Sequence, residues 1–378
     1  MGANFINEFI RVLLLTTLGF TVAMALTPAW AAVLYRLHLG KQIRGSALAP
    51  VFSKLHQHKA GTPTMGGVLI WGVTALLVFL FAVLAKVQPE LFGRFNFLNR
   101  AQTLLPLGAL LATAVVGLFD DLVDSYSHKG GGLTMGRRLA IYTTIAVVGA
   151  YWFYFKLGWT QLHVPFVGDF DIGLWYVPFF IFVIVGTAFS VNEIDGLDGL
   201  AGGTLLTAFA AYGVIAFTLG RYDLATFCAV IVGALLAFLW FNIPPARFFM
   251  GDTGAMSLGV TLGIIALLTN YALLLPIIGL LFVVESLSFF IQVTAKKFFG
   301  RKVFISAPIH HHLEAIGWPE SKIVMRFWVI AGVTASLGVA LFLVDQQWVV
   351  APNKKSPPSV GAIPLWPPDG GASTVKVP

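Results

Sequence analysis

Long apolar runs broken by short polar stretches set the pattern of this chain. About ten runs approach the length of a membrane span, at roughly 9–35, 66–87, 101–119, 139–157, 172–190, 201–219, 224–242, 255–269, 271–295 and 326–346. A helix of about 20 apolar residues crosses the roughly 30 Å hydrocarbon layer, and in lipid a helix satisfies its own backbone hydrogen bonds. The pattern predicts an all-α polytopic membrane protein of about ten transmembrane helices. The division at Thr269-Asn270 is the least marked of them. Met1 to Ile10 has no basic segment and no small-residue cleavage site follows it, so the first run reads as a retained span. No segment repeats at a fixed period, which weighs against a transporter of duplicated halves.

Composition agrees with lipid as the solvent. Of the 378 residues, 57% are hydrophobic and 11% charged, against roughly 25% charge in an ordinary soluble domain. The mean hydropathy is +0.84. Intrinsic disorder, collagen and a disulfide scaffold are excluded as the main architecture. The single cysteine, Cys228, has no partner for an internal bridge. Residues 1–350 read as one integral-membrane domain. Residues 351–378, rich in Pro, Gly, Ser and Lys, read as a disordered extracytoplasmic tail.

Charge then orients the spans. The odd-numbered loops carry Arg36, Lys41, Arg44, Lys54, Lys59, Lys129, Arg137, Arg138, Arg247, Lys296, Lys297, Arg301, Lys302, Lys322 and Arg326, fifteen of the 24 basic residues. The positive-inside rule places those loops in the cytoplasm and both termini outside. The net charge of +7 is mostly this topological signal, with no reason to invoke nucleic acid. A basic rim also attracts anionic headgroups or phosphorylated ligands.

The acids are the informative minority. Seven of the 17 fall where apolar runs end on the cytoplasmic side: Asp120, Asp121 and Asp124; Glu193, Asp195 and Asp198; and Asp252. These are expected in short loops. Each alone reads equally well as a functional group or as a solvated loop charge or helix cap. Three clusters on one face suit a hard cation such as Mg²⁺, which takes one or two carboxylates plus substrate phosphates. Asp120 and Asp121 lie about 100° apart on a helix, so one can face a metal while the other faces a substrate or a basic partner. Asp195 and Asp198 are spaced to point the same way. Gly196 and Gly199 allow close backbone approach, and Gly202-Gly203 offer N–H groups to an anion at the start of the next span. Phe248 and Phe249 precede Gly251-Asp252; one can stack on a base, the other anchor at the interface.

Two further segments share that side. Lys59 to Gly67 combines a cation, the hydroxyls of Thr62 and Thr64, and a glycine pair, which serves as a plain turn or as a phosphate grip. The run His310-His311-His312 does not fit a zinc site, and imidazoles beside a phosphate fit better. Glu285, inside a span, must pair or face a polar groove.

The segments around Lys59–Gly67, Asp120-Asp121, Asn192–Ala201, Asp252 and His310–His312 occur in the same order and spacing as in the polyprenyl-phosphate N-acetylhexosamine-1-phosphate transferases. The stretches GTPTMGG, ESLSFFIQV, APIHHHLE and GWPESKIVMRFW together resemble the branch that transfers phospho-N-acetylmuramoyl-pentapeptide. The resemblance covers about residues 5 to 346.

It implies ten transmembrane helices, a cytoplasmic-side active-site cleft and a Mg²⁺-dependent enzyme of the bacterial cytoplasmic (inner) membrane. UDP-N-acetylmuramoyl-pentapeptide would pass its sugar phosphate to undecaprenyl phosphate, giving lipid I and UMP in peptidoglycan synthesis. A homodimer is compatible with it. By matched position, Asp252 is implied as metal ligand, and Asp120, Asp121 and His311 as catalytic with it. Lys59, Asn192, Asp195, Gly196, Leu197, Asp198 and Phe249 are implied for the nucleoside-sugar site, with Phe249 near the uracil. Thr64, Gln292, His310 and His312 would line the sugar and diphosphate region. Two positions depart from the family pattern. Asp124 stands where a lysine is usual, as in relatives that transfer N-acetylglucosamine phosphate. Arg138 replaces a later lysine, keeping the charge with a different phosphate geometry.

Overall fold

The computed structural model describes residues 3–37, 39–40, 59–100, 102–126 and 132–350. The segment 351–378, expected to be a tail, and the loop bases Lys41, Arg44, Lys54 and Lys129 lie outside the described residues. The apolar runs appear as helices: α1 (Ala3–Arg36), α2 (Gly67–Val87), α3 (Leu104–Tyr126), α4 (Met135–Tyr151), α5 (Tyr176–Ile194), α6 (Leu200–Thr218), α7 (Tyr222–Asn242), α8 (Gly251–Leu268), α9 (Leu280–Phe299), the short α10 (Ile309–Ala315) and α11 (Glu320–Asp345). Among the described residues, nine helices are long and apolar enough to cross a membrane. The helical segment 272–278 and α9 pass the same test only together and meet at an 81° bend, which makes ten if the bent pair counts as one span. The chain is a multi-pass membrane protein.

α8 forms the hub. Nearly all of its residues are buried, and it packs against α3 on one side and α5 on the other. Small residues make this closeness possible. A side chain at Gly67 would strike the backbone of Gly254, one at Gly117 the backbone of Asp252 and Thr253, and one at Gly259 the backbone of Ala188. Such glycine contacts bring helix backbones together where lipid supplies no hydrophobic drive for association. Further out, α1 lies along α7, α6 packs on α7 and α11, and α4 on α5. Exposed Phe290, Ile291, Phe298 and Phe299 leave α9 with an apolar outer face.

Several boundaries differ from those expected. α3 continues past residue 119 to Tyr126, so Asp120, Asp121 and Asp124 are helical and not in a loop. The run expected at 271–295 is split at Gly279, and the last span begins at Glu320. Of glycines 202 and 203, expected to offer amides to an anion, Gly203 has its amide already taken. Gly203 N–H donates to Gly199 O at 3.0 Å, and both glycines are packing positions, against Leu239 and Trp328.

A hairpin not expected from the sequence, β1 (Gln161–Val164) and β2 (Gly168–Asp171), pairs antiparallel with His163 opposite Asp169. It is tied down at the end of α11. The His163 ring bridges Asp169 (2.8 Å) and the fully buried Asp345 (2.7 Å). Asp345 also accepts from Phe166 N at 2.6 Å and Tyr271 OH at 2.7 Å. A buried carboxylate persists only when its oxygens are satisfied, and Asp345 is.

Candidate active site

The end of the bundle opposite that hairpin gathers the described parts of the odd-numbered loops. Their polar side chains form three neighbouring groups.

The first is built on the start of α8. Asp121, buried on α3, accepts from Asp252 N (3.0 Å), Thr253 N (2.9 Å) and Thr64 Oγ1 (3.3 Å). It thus caps the first turn of α8, where unpaired amides and the helix dipole favour a carboxylate. Gly251 fits there with φ +76, in a space where a Cβ would crowd Asp121 and Thr64. Asp120, one residue earlier, faces elsewhere, as the helical period requires. Its Oδ1 accepts from Leu133 N at 2.5 Å, and its Oδ2 lies 3.0 Å from Arg138 Nη2. The same guanidinium nitrogen reaches Asp252 Oδ2 at 2.6 Å. Arg138 Nη1 donates to Asn192 Oδ1 (2.9 Å), and Asn192 Nδ2 donates to Asp252 Oδ1 (2.6 Å). Two carboxylates therefore converge on one cation.

These residues fit a Mg²⁺ ion. The donors are hard oxygens, and Asp120 Oδ2 is buried without a well-aligned hydrogen bond, compensated only by the nearby Arg138 charge. Among the described residues no three His, Cys, Asp or Glu side chains form a ready-made cage. Two carboxylates completed by substrate phosphates need none.

The second group lines a cavity of about 370 Å³ bounded by Lys59, Thr62, Asp198, Pro244, Pro245, Ala246, Phe249, Glu320 and Ser321. Lys59 Nζ bonds Asp198 Oδ1 (2.7 Å) and Glu320 Oε1 (2.5 Å), and lies 6.0 Å from the Phe249 ring centroid. Phe248, whose neighbour was expected to stack while one of the pair anchored at the interface, is fully buried against Phe238 and Phe241. It is a core residue. Phe249 sits three residues before Asp252, so the cavity and the acid centre share one turn of chain. The turn carrying Asp198 is fixed by Gly199 at φ +80, with Gly199 N–H donating to Asn242 Oδ1 at 2.9 Å. Leu197 is buried, and Asp195 ends α5 half-buried.

The third group is the histidine run. His310 is fully buried, with Nδ1 2.9 Å from Glu285 Oε2. Its Nε2 has no hydrogen-bond partner among the described residues and faces Gly196, where a Cβ would collide with it. Glu285 is thus the paired intramembrane acid the sequence required. His311 Nδ1 pairs with Glu314 at 2.7 Å. The remaining two residues of this group brace a loop. Gln292 bonds the backbone of Val303 and Phe304 through both ends of its amide (2.8 to 3.0 Å), and His312 Nδ1 accepts from Ile305 N at 3.3 Å.

Burial alone lowers the pKa of His310, but the carboxylates of Glu285, Glu314 and Glu193 outweigh it and raise it above the ordinary histidine value. A base whose pKa rises on folding adds stability below its unfolded pKa of about 6.5, and that contribution is lost as pH climbs through the folded value. The melting temperature advantage of the wild-type chain over Glu285→Gln is therefore expected to be largest below about pH 6.5 and to shrink as the pH rises above it. An advantage independent of pH contradicts the pairing.

Sequence reasoning missed Glu320, Leu133 and the Pro244-Pro245 wall. Glu320 lay within a motif already noted, but nothing in its position announced a partner 261 residues away.

An all-helical membrane scaffold with such a site defines a class of membrane-embedded transferase. Residues 103–270 match the model of glycosyl transferase family 4, and residues 59–70 match phospho-N-acetylmuramoyl-pentapeptide-transferase signature 1. Curated phospho-N-acetylmuramoyl-pentapeptide-transferases resemble the chain over most of its length. One from Chloroflexus aurantiacus is 38% identical over 360 residues, covering 91% of this chain and 93% of that protein. One from Geobacillus thermodenitrificans is 40% identical over 323 residues (85% and 94%), and one from Clostridium perfringens 35% over 333 (87% and 98%). The chain belongs to the phospho-N-acetylmuramoyl-pentapeptide-transferase family.

Proposed function

We propose that this enzyme transfers phospho-N-acetylmuramoyl-pentapeptide from its UDP-linked precursor to undecaprenyl phosphate, giving lipid I and UMP. The observation that carries the reading is the convergence of Asp120, Asp252, Asn192 and Arg138 next to a cavity containing Lys59 and Phe249. A nucleoside diphosphate sugar has an aromatic base, two phosphates and a sugar, and these groups supply a ring, cations and carboxylates in that order.

In this reading Lys59 and Phe249 hold the uridine end, with Asp195 to Asp198 beside it. Asp252 and Asp120 would hold Mg²⁺, which would supply neutralisation of the diphosphate charge. Thr64, His310 and His311 face the diphosphate and sugar. A phosphate monoester with a second pKa of about 6 is already largely ionised at neutral pH. The lipid phosphate oxygen therefore attacks the sugar-bearing phosphorus directly, and the bond to the UMP oxygen breaks. Positioning and charge neutralisation do most of the work in such transfers. The basic loops support a site facing the cytoplasm at a bacterial inner membrane, with both termini outside. A homodimer is compatible with this arrangement, and light scattering of the purified protein decides it.

The test is a donor comparison. With Mg²⁺, purified protein is expected to release UMP from UDP-MurNAc-pentapeptide only when undecaprenyl phosphate is present. Asp124, shared with relatives that use N-acetylglucosamine phosphate, favours a second reading in which UDP-GlcNAc is the donor. Preferential release from UDP-GlcNAc would establish that one. Ligand uptake into sealed vesicles without UMP release would instead indicate a transporter.

A further inference from the structure

We propose that Glu320 is a positioning residue for the nucleoside end of the donor, holding Lys59 and the Asp198 turn as one rigid edge of the cavity. The proposal rests on the reading of the cavity given above and adds a residue to it.

Glu320 is the first residue of α11, directly after Pro319. A carboxylate in a first turn is favourable beside the helix dipole, and that alone needs no partner. Here the side chain has two. Oε1 accepts from Lys59 Nζ at 2.5 Å and from Asp198 N at 2.7 Å. Asp198 Oδ1 accepts from the same Lys59 Nζ at 2.7 Å, and Asp198 Oδ2 accepts from Ala246 N at 3.0 Å. Lys59, Asp198 and Glu320, from three stretches distant in sequence, thereby close into a ring at the cavity wall, and the Ala246 stretch is tied to it through Asp198. A second tie, Trp328 Nε1–H to Gly199 O at 3.0 Å, secures α11 to the same turn.

The ring immobilises an otherwise mobile group. A free lysine side chain has about 2 kcal/mol of rotamer entropy to lose, and here the side chains are largely buried, 11% exposed for Lys59, 4% for Asp198 and 17% for Glu320. An ammonium has three N–H donors. Two are taken by Asp198 and Glu320, which leaves one for a ligand of the cavity. The ordering of Lys59 is complete before the donor arrives, and ground-state binding gains from that. Glu320 bonds Lys59 and the Asp198 amide, not the groups of the acid centre, so its role is one of positioning.

The experiment compares wild-type protein with Glu320→Gln and Glu320→Asp in detergent. It measures KM for both substrates, kcat, the Kd of UMP by calorimetry, and the melting temperature. Glu320→Gln keeps size and an acceptor but loses the charge. Its donor KM and UMP Kd are expected to rise about tenfold, the scale of one charge-assisted hydrogen bond, while kcat and lipid KM stay within about twofold. Glu320→Asp, which keeps the charge on a shorter arm, is expected to fall between. A donor KM and UMP Kd that match wild type overturn the proposal. So does a parallel loss in donor KM, lipid KM and kcat with a lowered melting temperature, which is what a merely structural role gives. Wild-type protein that neither binds UMP nor releases it overturns the reading of the cavity itself.

Discussion

Asp252→Asn is expected to lower kcat for UMP release by about 10³-fold, the scale for removing one preorganised electrostatic group, with little change in melting temperature. The substitution conserves size. It removes one of the two charges facing Arg138 and leaves the other, Asp120, 3.0 Å away. The first turn of α8 is held independently by Asp121, so the helix that carries residue 252 stays in place. Loss of activity without loss of fold is therefore the signature of a group that acts on the substrate. Activity within about tenfold of wild type, measured with saturating Mg²⁺ and both substrates, removes Asp252 from the metal-binding role.

The neighbouring acid is expected to behave in the opposite way. Asp121→Ala takes away the acceptor for two backbone amides and the Thr64 hydroxyl in a buried position. Leaving a buried donor unsatisfied costs about 1–3 kcal/mol, so a loss of about 3 kcal/mol is expected even if water replaces one partner. The melting temperature falls clearly, and activity falls with it, because Asp252 is displaced along with the turn that bears it. Asp121→Asn, which retains one acceptor oxygen, recovers part of the stability. A stable Asp121→Ala protein without activity would show instead that this carboxylate acts on substrate. Asp252 and Asp121, which meet where the Asp252 amide donates to the Asp121 carboxylate at the start of α8, are thus separated by stability against turnover, a distinction that residue type alone conceals.

What the sequence revealed followed from the demands of lipid. A span needs an unbroken apolar run, so ten runs were visible, and the positive-inside bias sorted their loops. The acids stood out because the same loops favour Lys and Arg. Other features depend on contacts that a linear pattern does not carry. α3 continues through Asp120, Asp121 and Asp124 because Arg138 and the amides of α8 satisfy two of those acids, which hydropathy counts only as polar interruptions. The bend at Gly279 sits inside an apolar stretch and leaves the hydropathy unchanged. The hairpin strands are four residues each, too short for a period to register, and their anchor Asp345 looks like an ordinary span-end charge. Glu320 joined Lys59 only through the fold.

The glycine contacts of α8 also have a mechanical consequence. α2, α3 and α5 each meet α8 backbone to backbone, through Gly67, Gly117 and Gly259, with no flexible side chain between them to take up slack. These four helices form a stator that carries Asp120, Asp121, Asn192 and Asp252. Glu285, the histidines and Glu320 ride on α9, α10 and α11, past the bend at Gly279. A methyl group added at any of those three glycines would therefore push apart the helices that hold the acid centre.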